Sequence, residues 1–564
     1  MLILYATQTG TAQYVAERIA KDAYRKAVDF RIRGMDEIDY LDLPNEKVII
    51  FVCSTTGDGE APEQMVNLWK FLLKRSLPGD FLADVSCSVF GLGDSSYAKF
   101  NYPAKKLWKR LIQLGAKMIG DRGDGDDQHP LGVDGAFLPW IKSVWEGLRN
   151  VLQCDVDKQE ITSLPSKYKF IEKEEYNTDI LKDNSAFVVK NERITTFDHF
   201  QDIRLITLDG VFDYNPGDVA ALKPQNLPEY VEKLLTRLDW LKYADTSFEL
   251  TINRPDGSNH FHSKCWTLRK LLTEELDCYS IPRKSFFEIL AQFSHDEMFT
   301  ERLNHFISPE GLDDFLDYNQ RMKKTVLEVL EDFPGLKFPY EYAFDAFPLI
   351  KSRCFSISSC IKNRIELVVG IVNYKTKMKV PREGLCTRWL ATLTQNTKVN
   401  LSIKKGSFTF SNGVLPTTPI ILCCAGTGIA PMRSLIYYLL IHQDFKQEIY
   451  LFFGCRNKNK DDIFYKEFNE LSNSYPNFTY FYAYSRDQPN KVYIQNILLQ
   501  NQSLIWSLIN HKKASVYISG NTSLPKEIKK SLLEIFTNNL KNDIIANQHI
   551  EQLIKERKIQ WEAW

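Results

Sequence analysis

The sequence predicts a multidomain α/β protein in which two doubly wound parallel sheets flank an antiparallel β-barrel with a helical insertion. Three observations predict this architecture. Strand and helix patterns alternate over residues 1–150 and again from about Thr417, and between them short strand-like runs are interrupted by helices. A chain of 564 residues is also too long for one core, since domains usually hold about 100–200 residues.

The first doubly wound sheet is predicted from the order of its elements. The run Leu2–Ala6 reads as a buried strand, and Val15, Ile19 and Ala20 follow at helical spacing. Further strand runs stand at "KVIIFVC" and "VSCSVFG", with helical stretches near residues 62–75, 104–114 and 134–151. In such sheets ligands bind at the carboxyl ends of the strands, which here lead into the loops "TQTGTA", "STTGDGEAP" and "GLGDSSYAKFN".

The first of these loops has the chemistry of an anion site. A loop that turns from strand into helix directs free backbone N–H groups and a positive dipole end at one point, where phosphate is the usual guest. The hydroxyls of Thr7, Thr9 and Thr11 add donors, and Gly10 lets the backbone come close. A plain strand-to-helix turn capped by a threonine is the alternative interpretation.

The remaining chain predicts a linker, a barrel and the second sheet. The polar stretch "DVDKQEITSLPSKYK" reads as a linker, and residues from about 170 to 230 look strand-like. Helical sequence then runs from "LPEYVEKLLTRL" to "MKKTVLEVLEDF" before strands return at "RCFSISSCIKNRIELVVGIV". We expect domains at 1–150, 169–410 with the insertion at about 226–345, and 411–564, joined by a linker at 151–168.

The composition of the chain bears on its cellular compartment and on the classes of partner it could bind. Lys+Arg and Asp+Glu both number 71, so net charge gives no sign of nucleic-acid binding. No apolar run approaches the roughly 18 residues of a membrane span, and Met1 leads directly into a strand, so we expect no signal peptide or membrane anchor. The 11 cysteines lack paired spacing and predict a reduced, cytoplasmic protein. "HFHSKC" lacks a second ligand cluster, so we expect no metal.

Residues 1–150 resemble a flavodoxin-like FMN domain on the three loops quoted above. The resemblance implies that residues 7–12 wrap the FMN phosphate, that Tyr97 stacks on the flavin ring, and that Asp127 in "GDGDDQHP" lies near it. Tyr97 could instead pack on its own loop. Many relatives carry an aromatic residue where this chain has Thr56, which puts stacking from both sides in doubt. The implied contacts are Thr7, Gln8, Thr9, Gly10, Thr11, Ala12, Ser54, Thr55, Thr56, Gly57, Leu92, Gly93, Asp94, Ser95, Ser96, Tyr97, Ala98, Lys99, Phe100, Asn101 and Asp127.

The motifs "RCFSISS" and "GLCTRWL" resemble the FAD signatures of the ferredoxin–NADP reductase family. The resemblance implies that Arg353 pairs with the FAD pyrophosphate and that Phe355 stacks on the ring, with Ser356 near the flavin N5. A helix that begins after Gly384 would hold the other side of the pyrophosphate. A strand and a helix cap without a ligand is the alternative. The implied contacts are Arg321, Arg353, Cys354, Phe355, Ser356, Gly384, Leu385, Cys386 and Thr387.

The motifs "AGTGIAPMRS", "SRDQPNKVYIQ" and "GNTSLPKEI" resemble the NADPH half of the same reductases. Gly426 and Gly428 would admit the pyrophosphate of NADPH, and the two cations and hydroxyls around Arg486 suit a 2′-phosphate. A solvated basic turn is the alternative. The implied contacts are Thr427, Ser485, Arg486, Lys491, Val492, Tyr493, Ile494, Gln495 and Glu527.

The C-terminal "WEAW" resembles the end of diflavin reductases, in which a terminal aromatic residue covers the FAD ring. Trp564 fits that role by position, and a frayed tail or a core anchor is the alternative. The family's Ser/Cys/Asp catalytic trio would be Ser356, Cys455 and Glu562, although this chain has Glu where relatives have Asp.

Across its whole length the chain resembles the NADPH-dependent diflavin oxidoreductase family of cytosolic iron–sulfur protein assembly. The resemblance implies a monomeric enzyme that passes electrons from NADPH through FAD and FMN to a small iron–sulfur protein of the anamorsin type, without a nucleic-acid or membrane partner. Two alternatives remain. One is a diflavin reductase for another acceptor, such as methionine synthase or a soluble haem protein, and the other is a scaffold that has lost its cofactors.

Overall fold

A computed structural model of the chain describes residues 1–57, 59–97, 99–152, 163–173, 185–257, 260–376, 380–443 and 445–563. Two predicted cofactor contacts, Ala98 and Trp564, lie outside these residues. The chain forms two compact units, one from Met1–Thr178 with Asn226–Lys351 and the other from Asp179–Gln225 with Ser352–Trp564. Each unit is therefore built from two separate stretches of sequence.

The described strands follow in chain order. They are β1 (Leu2–Ala6), β2 (Arg31–Gly34), β3 (Val48–Ser54), β4 (Ser86–Gly93), β5 (Lys117–Met118), β6 (Gly123–Asp126), β7 (Tyr168–Glu172), β8 (Ser185–Arg193), β9 (Ile203–Asp209), β10 (Val219–Leu222), β11 (Ser247–Ile252), β12 (Cys265–Thr267), β13 (Arg353–Ser356), β14 (Arg364–Gly370), β15 (Asn373–Tyr374), β16 (Arg382–Glu383), β17 (Lys398–Lys404), β18 (Ile420–Ala425), β19 (Ile449–Cys455), β20 (Phe478–Tyr484), β21 (Ser515–Gly520) and β22 (Ile559–Ala563).

The described α-helices are numbered in the same way. They are α1 (Thr11–Arg25), α2 (Glu63–Leu72), α3 (Tyr102–Gln113), α4 (Asp134–Leu152), α5 (Pro228–Leu238), α6 (Leu268–Glu274), α7 (Lys284–Gln292), α8 (Glu297–Ile307), α9 (Leu312–Phe315), α10 (Val326–Asp332), α11 (Ala343–Ala346), α12 (Leu385–Thr392), α13 (Ile429–Tyr437), α14 (Tyr465–Ser474), α15 (Ile494–Gln500), α16 (Gln502–Trp506), α17 (Leu524–Leu540) and α18 (Asp543–Lys555). None of these helices is long and apolar enough to cross a membrane.

The first unit contains the predicted doubly wound sheet. Its strands run in the order β2-β1-β3-β4-β5, with β6 also paired to β4, and every pairing is parallel. Separate apolar cores cover the two faces, one built on Val15 and Trp140 and the other on Leu68 and Leu107. The strand order reverses between β1 and β3, and ligands of such sheets bind at this switch point.

The helical part of the same unit surrounds a small antiparallel sheet in the order β12-β11-β7. It has its own apolar core, which includes Leu234, Phe287 and Val329. The side chain of Arg254 is 1% exposed and bonds this helical part to the segment around Pro165. Its guanidinium binds Asp256 in a bidentate pair and contacts Asp345 at 2.6 Å, and it donates to the Pro165 carbonyl.

The second unit begins with the predicted β-rich segment. Six strands pair antiparallel in the order β13-β10-β17-β8-β9-β14. An antiparallel bridge between Ile357, next to β13, and Leu367 of β14 brings the two ends of this order together. The prediction of a β-rich segment interrupted by helices is confirmed.

The second doubly wound sheet is also confirmed. Its parallel strands run in the order β20-β19-β18-β21-β22, so the order reverses between β18 and β21. The sequence did not predict β22, which adds residues near the C-terminus to the edge of the sheet. Gln560 of β22 is fixed by its Oε1, which accepts from the Thr409 amide at 2.9 Å.

Candidate cofactor sites

The loop between β1 and α1 is built to receive an anion. Gly10, the residue before the helix, has a φ of 99°, a conformation that favours glycine. Its amide donates to the Thr7 hydroxyl at 2.9 Å. No side chain caps α1, and its first turn holds no acidic residue. The alternative of a threonine-capped turn therefore fails, and the amides of the first turn remain available to a phosphate.

The loops that follow β3 and β4 meet the end of β1. The Ser54 hydroxyl donates to the Ala6 carbonyl at 3.3 Å, and the Thr55 amide donates to the Leu92 carbonyl at 2.7 Å. Thr56 and Glu60 pair with each other through two backbone hydrogen bonds of 2.9 and 2.8 Å. Three loops predicted as FMN contacts therefore converge at the switch point of the sheet.

An acidic group borders these loops. The Ser96 amide donates to Asp94, and the Ser95 amide donates to Asp126. The Asp127 amide donates to the Gly93 carbonyl at 2.9 Å, which places this carboxylate beside the β4 loop. Burial raises the pKa of Asp127, and the charges of Asp94 and Asp126 raise it further.

Two other predicted FMN contacts have clear structural surroundings. Tyr97 is half-buried, and its amide donates to the Asp94 carbonyl at 3.2 Å. Asn101 is fully buried, and its side-chain amide donates to Asp124 and to the Gly125 carbonyl. Asn101 thus fixes the β4 loop to the strand beside it. Gln8, Gly57, Lys99 and Phe100 also lie on these loops.

In the second unit, β13 and the start of α12 carry groups that could bind an anion. Arg353 and Cys354 are exposed on β13, whereas Phe355 and Ser356 are partly buried. α12 follows Gly384 with no side-chain cap and no acid in its first turn. Burial raises the pKa of the Cys386 thiol to about 12, and the opposing effect of the Arg353 charge shows that this arginine lies near the start of α12. These groups fit a pyrophosphate.

Thr387 shapes this helix start from within. Its hydroxyl accepts a hydrogen bond from the Val372 amide at 3.0 Å, which ties the first turn of α12 to the segment between β14 and β15. Leu385 begins the helix. Arg321, the remaining predicted FAD contact, belongs to the first unit, where its guanidinium contacts Asp313 at 2.9 Å and Asp317 at 2.5 Å. Its role toward FAD stays a prediction.

A short 3-10 turn, Gly426–Gly428, follows β18 at the switch point of the second sheet. Gly426 has a φ of 56°, and a Cβ atom there would meet open space. A Cβ atom on Gly428 would lie 2.2 Å from the Ser519 carbonyl oxygen. Gly426 therefore leaves room for a ligand, whereas Gly428 is required by close packing of the turn on β21. Thr427 lies between them and is partly exposed.

A cationic cluster lies at the ends of β19 and β20. The amide and hydroxyl of Ser485 both donate to the Cys455 carbonyl, at 3.0 and 3.1 Å, and the Arg486 amide donates to the Arg456 carbonyl at 2.8 Å. A hydrogen bond from Arg486 lowers the pKa of the Tyr493 phenol, and the charges of Lys491 and Arg456 lower it further. This concentration of positive charge fits a phosphate.

Arg456, in the motif "FGCR", is a candidate functional residue that the sequence did not predict. Only the pairing of β19 with β20 places it beside Arg486. The predicted contacts next to Tyr493 differ in how far their side chains are buried. Val492 and Gln495 are partly exposed, but Ile494 is 2% exposed and packs into the core of the sheet. Glu527 is exposed in the first turn of α17.

The predicted catalytic trio is not joined by hydrogen bonds in the described structure. Ser356 ends β13, and Cys455 ends β19 with its thiol pKa raised by burial. The Glu562 carboxylate accepts from the Ser407 amide at 3.0 Å and from its hydroxyl at 2.7 Å. Burial raises the pKa of Glu562, and the hydrogen bonds from Ser407 oppose that shift. Trp564 lies beyond the described residues.

The part of the chain that the structure describes has no candidate metal centre. It contains no group of three or more His, Cys, Asp or Glu residues that could hold an ion.

Three family models match the chain in the order of these sites. They are a flavodoxin model over residues 3–140, an FAD-binding domain model over 171–389 and an oxidoreductase NAD-binding domain model over 422–530.

Relatives match the chain over nearly its whole length. A Xenopus laevis protein named "NADPH-dependent diflavin oxidoreductase 1" is 37% identical over 100% of this chain and 99% of its own. Proteins of the same name from Mus musculus (36%, with 100% and 99% covered) and Schizosaccharomyces pombe (35%, with 94% of each covered) are similarly close.

Proposed function

Because this chain belongs to the NADPH-dependent diflavin oxidoreductase family, we propose that it delivers electrons from NADPH to an iron–sulfur protein of the anamorsin type in cytosolic cluster assembly. The chain is an oxidoreductase with FMN, FAD and NADP-binding domains. One observation supports the assignment of its sites: the uncapped starts of α1 and α12 and the cations around Arg486 lie on the loops where the three cofactor phosphates are expected.

Each anion site uses this chain's own donors. The first-turn amides of α1 and the hydroxyls beside Gly10 would hold the FMN phosphate. Arg353 and the uncapped start of α12 would hold the FAD pyrophosphate. Neither helix has an acidic residue in its first turn that would repel a phosphate.

The cluster around Arg486 would select NADPH over NADH. Its hydrogen-bonded backbone fixes the loop, while the side chains of Arg486, Lys491 and Arg456 supply positive charge where only NADPH carries an extra phosphate. Open space at Gly426 would admit the rest of the nucleotide. Trp564 would cover the flavin before the nicotinamide arrives.

Ser356, Cys455 and Glu562 would orient the reacting groups around the FAD ring. Ser407 holds Glu562 through two hydrogen bonds, so this carboxylate has a fixed position from which to act. When bound, the flavins supply the conversion of a two-electron hydride into single electrons, and the protein supplies binding and orientation. An iron–sulfur cluster accepts electrons singly, which suits such a donor.

The acceptor is tested by anaerobic mixing of the flavin-loaded protein with NADPH and a purified [2Fe–2S] protein of the anamorsin type. We expect the cluster's visible absorbance to bleach at a rate set by the concentration of this enzyme. Methionine synthase and a soluble haem protein serve as parallel acceptors. Faster reduction of either one than of the iron–sulfur protein would overturn the proposed acceptor but leave the family assignment intact.

A further inference from the structure

Two cations from outside the doubly wound sheet lie against the loop between β1 and α1. Arg283 precedes α7, and Lys351 is the last residue of the first unit. The Arg283 Nη2 and the Lys351 Cε each lie 3.7 Å from the position that a Cβ on Gly10 would occupy. The Lys351 Nζ donates to the Gln13 Oε1 at 3.1 Å, within the first turn of α1.

This arrangement is electrostatically unfavourable on its own. The amino end of a helix carries partial positive charge, so cations placed there are repelled. No acidic residue of the first turn of α1 offsets them. Arg283 lies with its guanidinium carbon 4.6 Å from the centre of the Tyr14 ring, and within the described part of the chain it forms no ion pair.

Two carboxylates close to the loop, those of Glu17 and Glu288, pair with other cations. Glu17 lies 3.5 Å from the Lys167 ammonium and also accepts from the Gln13 side-chain amide. Glu288 of α7 pairs with Lys21 at 3.5 Å and with Arg25 at 3.4 Å. An anion bound on the loop would therefore interact favourably with the amino end of α1 and with the cations beside Gly10.

The space for such contacts is present. A cavity of about 360 Å³ opens beside the loop, and its lining includes Thr9, Gly10, Gln13, Arg283 and Lys351. Both cationic side chains are partly exposed to it, so their head groups can move toward a ligand on the loop without disturbing a packed core.

We propose that Arg283 and Lys351 complete the binding site for the FMN phosphate, although neither belongs to the flavodoxin-like domain. This inference rests on the proposed assignment of residues 7–12 as the phosphate loop. It has a thermodynamic consequence. If the helical part of the unit strengthens FMN binding, FMN strengthens the contact between that part and the sheet by the same factor.

The test compares FMN with riboflavin, which lacks the phosphate. The full-length protein is depleted of FMN while it retains FAD, and each flavin is titrated by the quenching of its fluorescence. We expect Arg283→Ala and Lys351→Ala each to raise the Kd for FMN about three- to tenfold, the effect of a partly screened charge on a phosphate dianion. The Kd for riboflavin should not change.

Two controls make the result specific. Lys337→Ala removes a cation of the helical part that pairs with Asp239 at 3.6 Å and is not among the cavity-lining residues, so it should leave the FMN Kd unchanged. Arg283→Lys should retain most of the affinity, because it keeps the charge. Added NaCl should weaken FMN binding less in the double variant of Arg283 and Lys351 than in the unaltered chain.

The outcomes separate this inference from the proposed function. If a Thr9→Ala/Thr11→Ala variant weakens FMN binding but the variants of Arg283 and Lys351 do not, the inference is wrong and the phosphate loop stands. If the threonine variant leaves FMN binding unchanged, the loop assignment itself fails. Equal losses for FMN and riboflavin in Arg283→Ala would mean a structural role and would also overturn the inference.

Discussion

Replacement of Arg486 by alanine should weaken NADPH binding and leave NADH binding nearly unchanged. The backbone of Arg486 would stay in place, because its amide donates to the Arg456 carbonyl and does not depend on the side chain. The change therefore removes one charged donor while Arg456 and Lys491 remain. Only NADPH carries the 2′-phosphate that this donor would contact.

The expected size follows from the exposure of the site. A hydrogen bond to a charged group contributes about 1.5–3 kcal/mol, and because Arg486 is exposed the low end applies, which corresponds to about a tenfold rise in KM for NADPH. The assay is steady-state reduction of ferricyanide with NADPH or NADH as the donor.

The matched control removes an exposed cation from a helix of the same doubly wound domain. Lys466→Ala on α14 should change neither KM. If Arg486→Ala raises the KM values for NADPH and NADH by the same factor, the side chain does not contact the 2′-phosphate and the assignment of the cluster is wrong.

Three further predictions concern binding and stability. Tyr97→Ala in the full-length chain should weaken FMN binding by about 0.5–1.5 kcal/mol in a fluorescence titration, and an unchanged Kd would leave Tyr97 as loop packing. Gly428→Ala should lower the free energy of urea unfolding by about 1–3 kcal/mol, because its Cβ would overlap the Ser519 carbonyl. Gly426→Ala should cost less, since it adds only backbone strain, and equal losses would contradict the packing argument. Arg254→Ala should destabilise the first unit by about 3–5 kcal/mol, because it removes the buried arginine that pairs with both Asp256 and Asp345.

The Arg254 site also predicts a pH dependence. Burial raises the pKa of Asp256, but the charges of Arg254 and Lys167 and the hydrogen bonds from Arg254 together outweigh that effect and lower the pKa from 3.8 to about 2. A carboxylate whose pKa falls on folding stabilises the folded state above its unfolded pKa, and this stabilisation disappears as the pH falls from about 4 to about 2. Acid unfolding followed by circular dichroism should show this loss in the unaltered chain. A chain whose stability is flat across that window would contradict the ion pair.

The sequence predicted best what depends on neighbouring residues. The turn at Gly10 follows from a short strand, a glycine and a helix that adjoin in the chain, so local pattern was enough. The start of α12 after Gly384 was likewise visible in "GLCTRWL". By contrast, β22 forms by pairing with the edge of the sheet at β21. The periodicity of its five residues does not distinguish a strand from an irregular chain terminus.

Contacts between distant segments were beyond the sequence for the same reason. Arg456 joins the cluster around Arg486 through strand pairing, and Ser407 meets Glu562 across a long separation in the chain. The sequence predicts the helical insertion within the FAD-binding segment, and the FAD-binding domain model over residues 171–389 spans it. In the structure Asn226–Lys351 forms one compact unit with the first doubly wound sheet, which depends on side-chain contacts such as those of Glu288.

The antiparallel sheet of the second unit has a consequence for synthesis on the ribosome. β10 pairs on one side with β13 and on the other with β17, and both partners are translated only after the whole helical insertion. A nascent chain therefore carries β10 with two unpaired edges while the first unit is being completed. Unpaired strand edges of this kind invite association with other chains. Slow or stalled translation within Asn226–Lys351 should thus favour aggregation of the nascent chain. Chaperones that bind exposed strands should be needed most while this segment is synthesised.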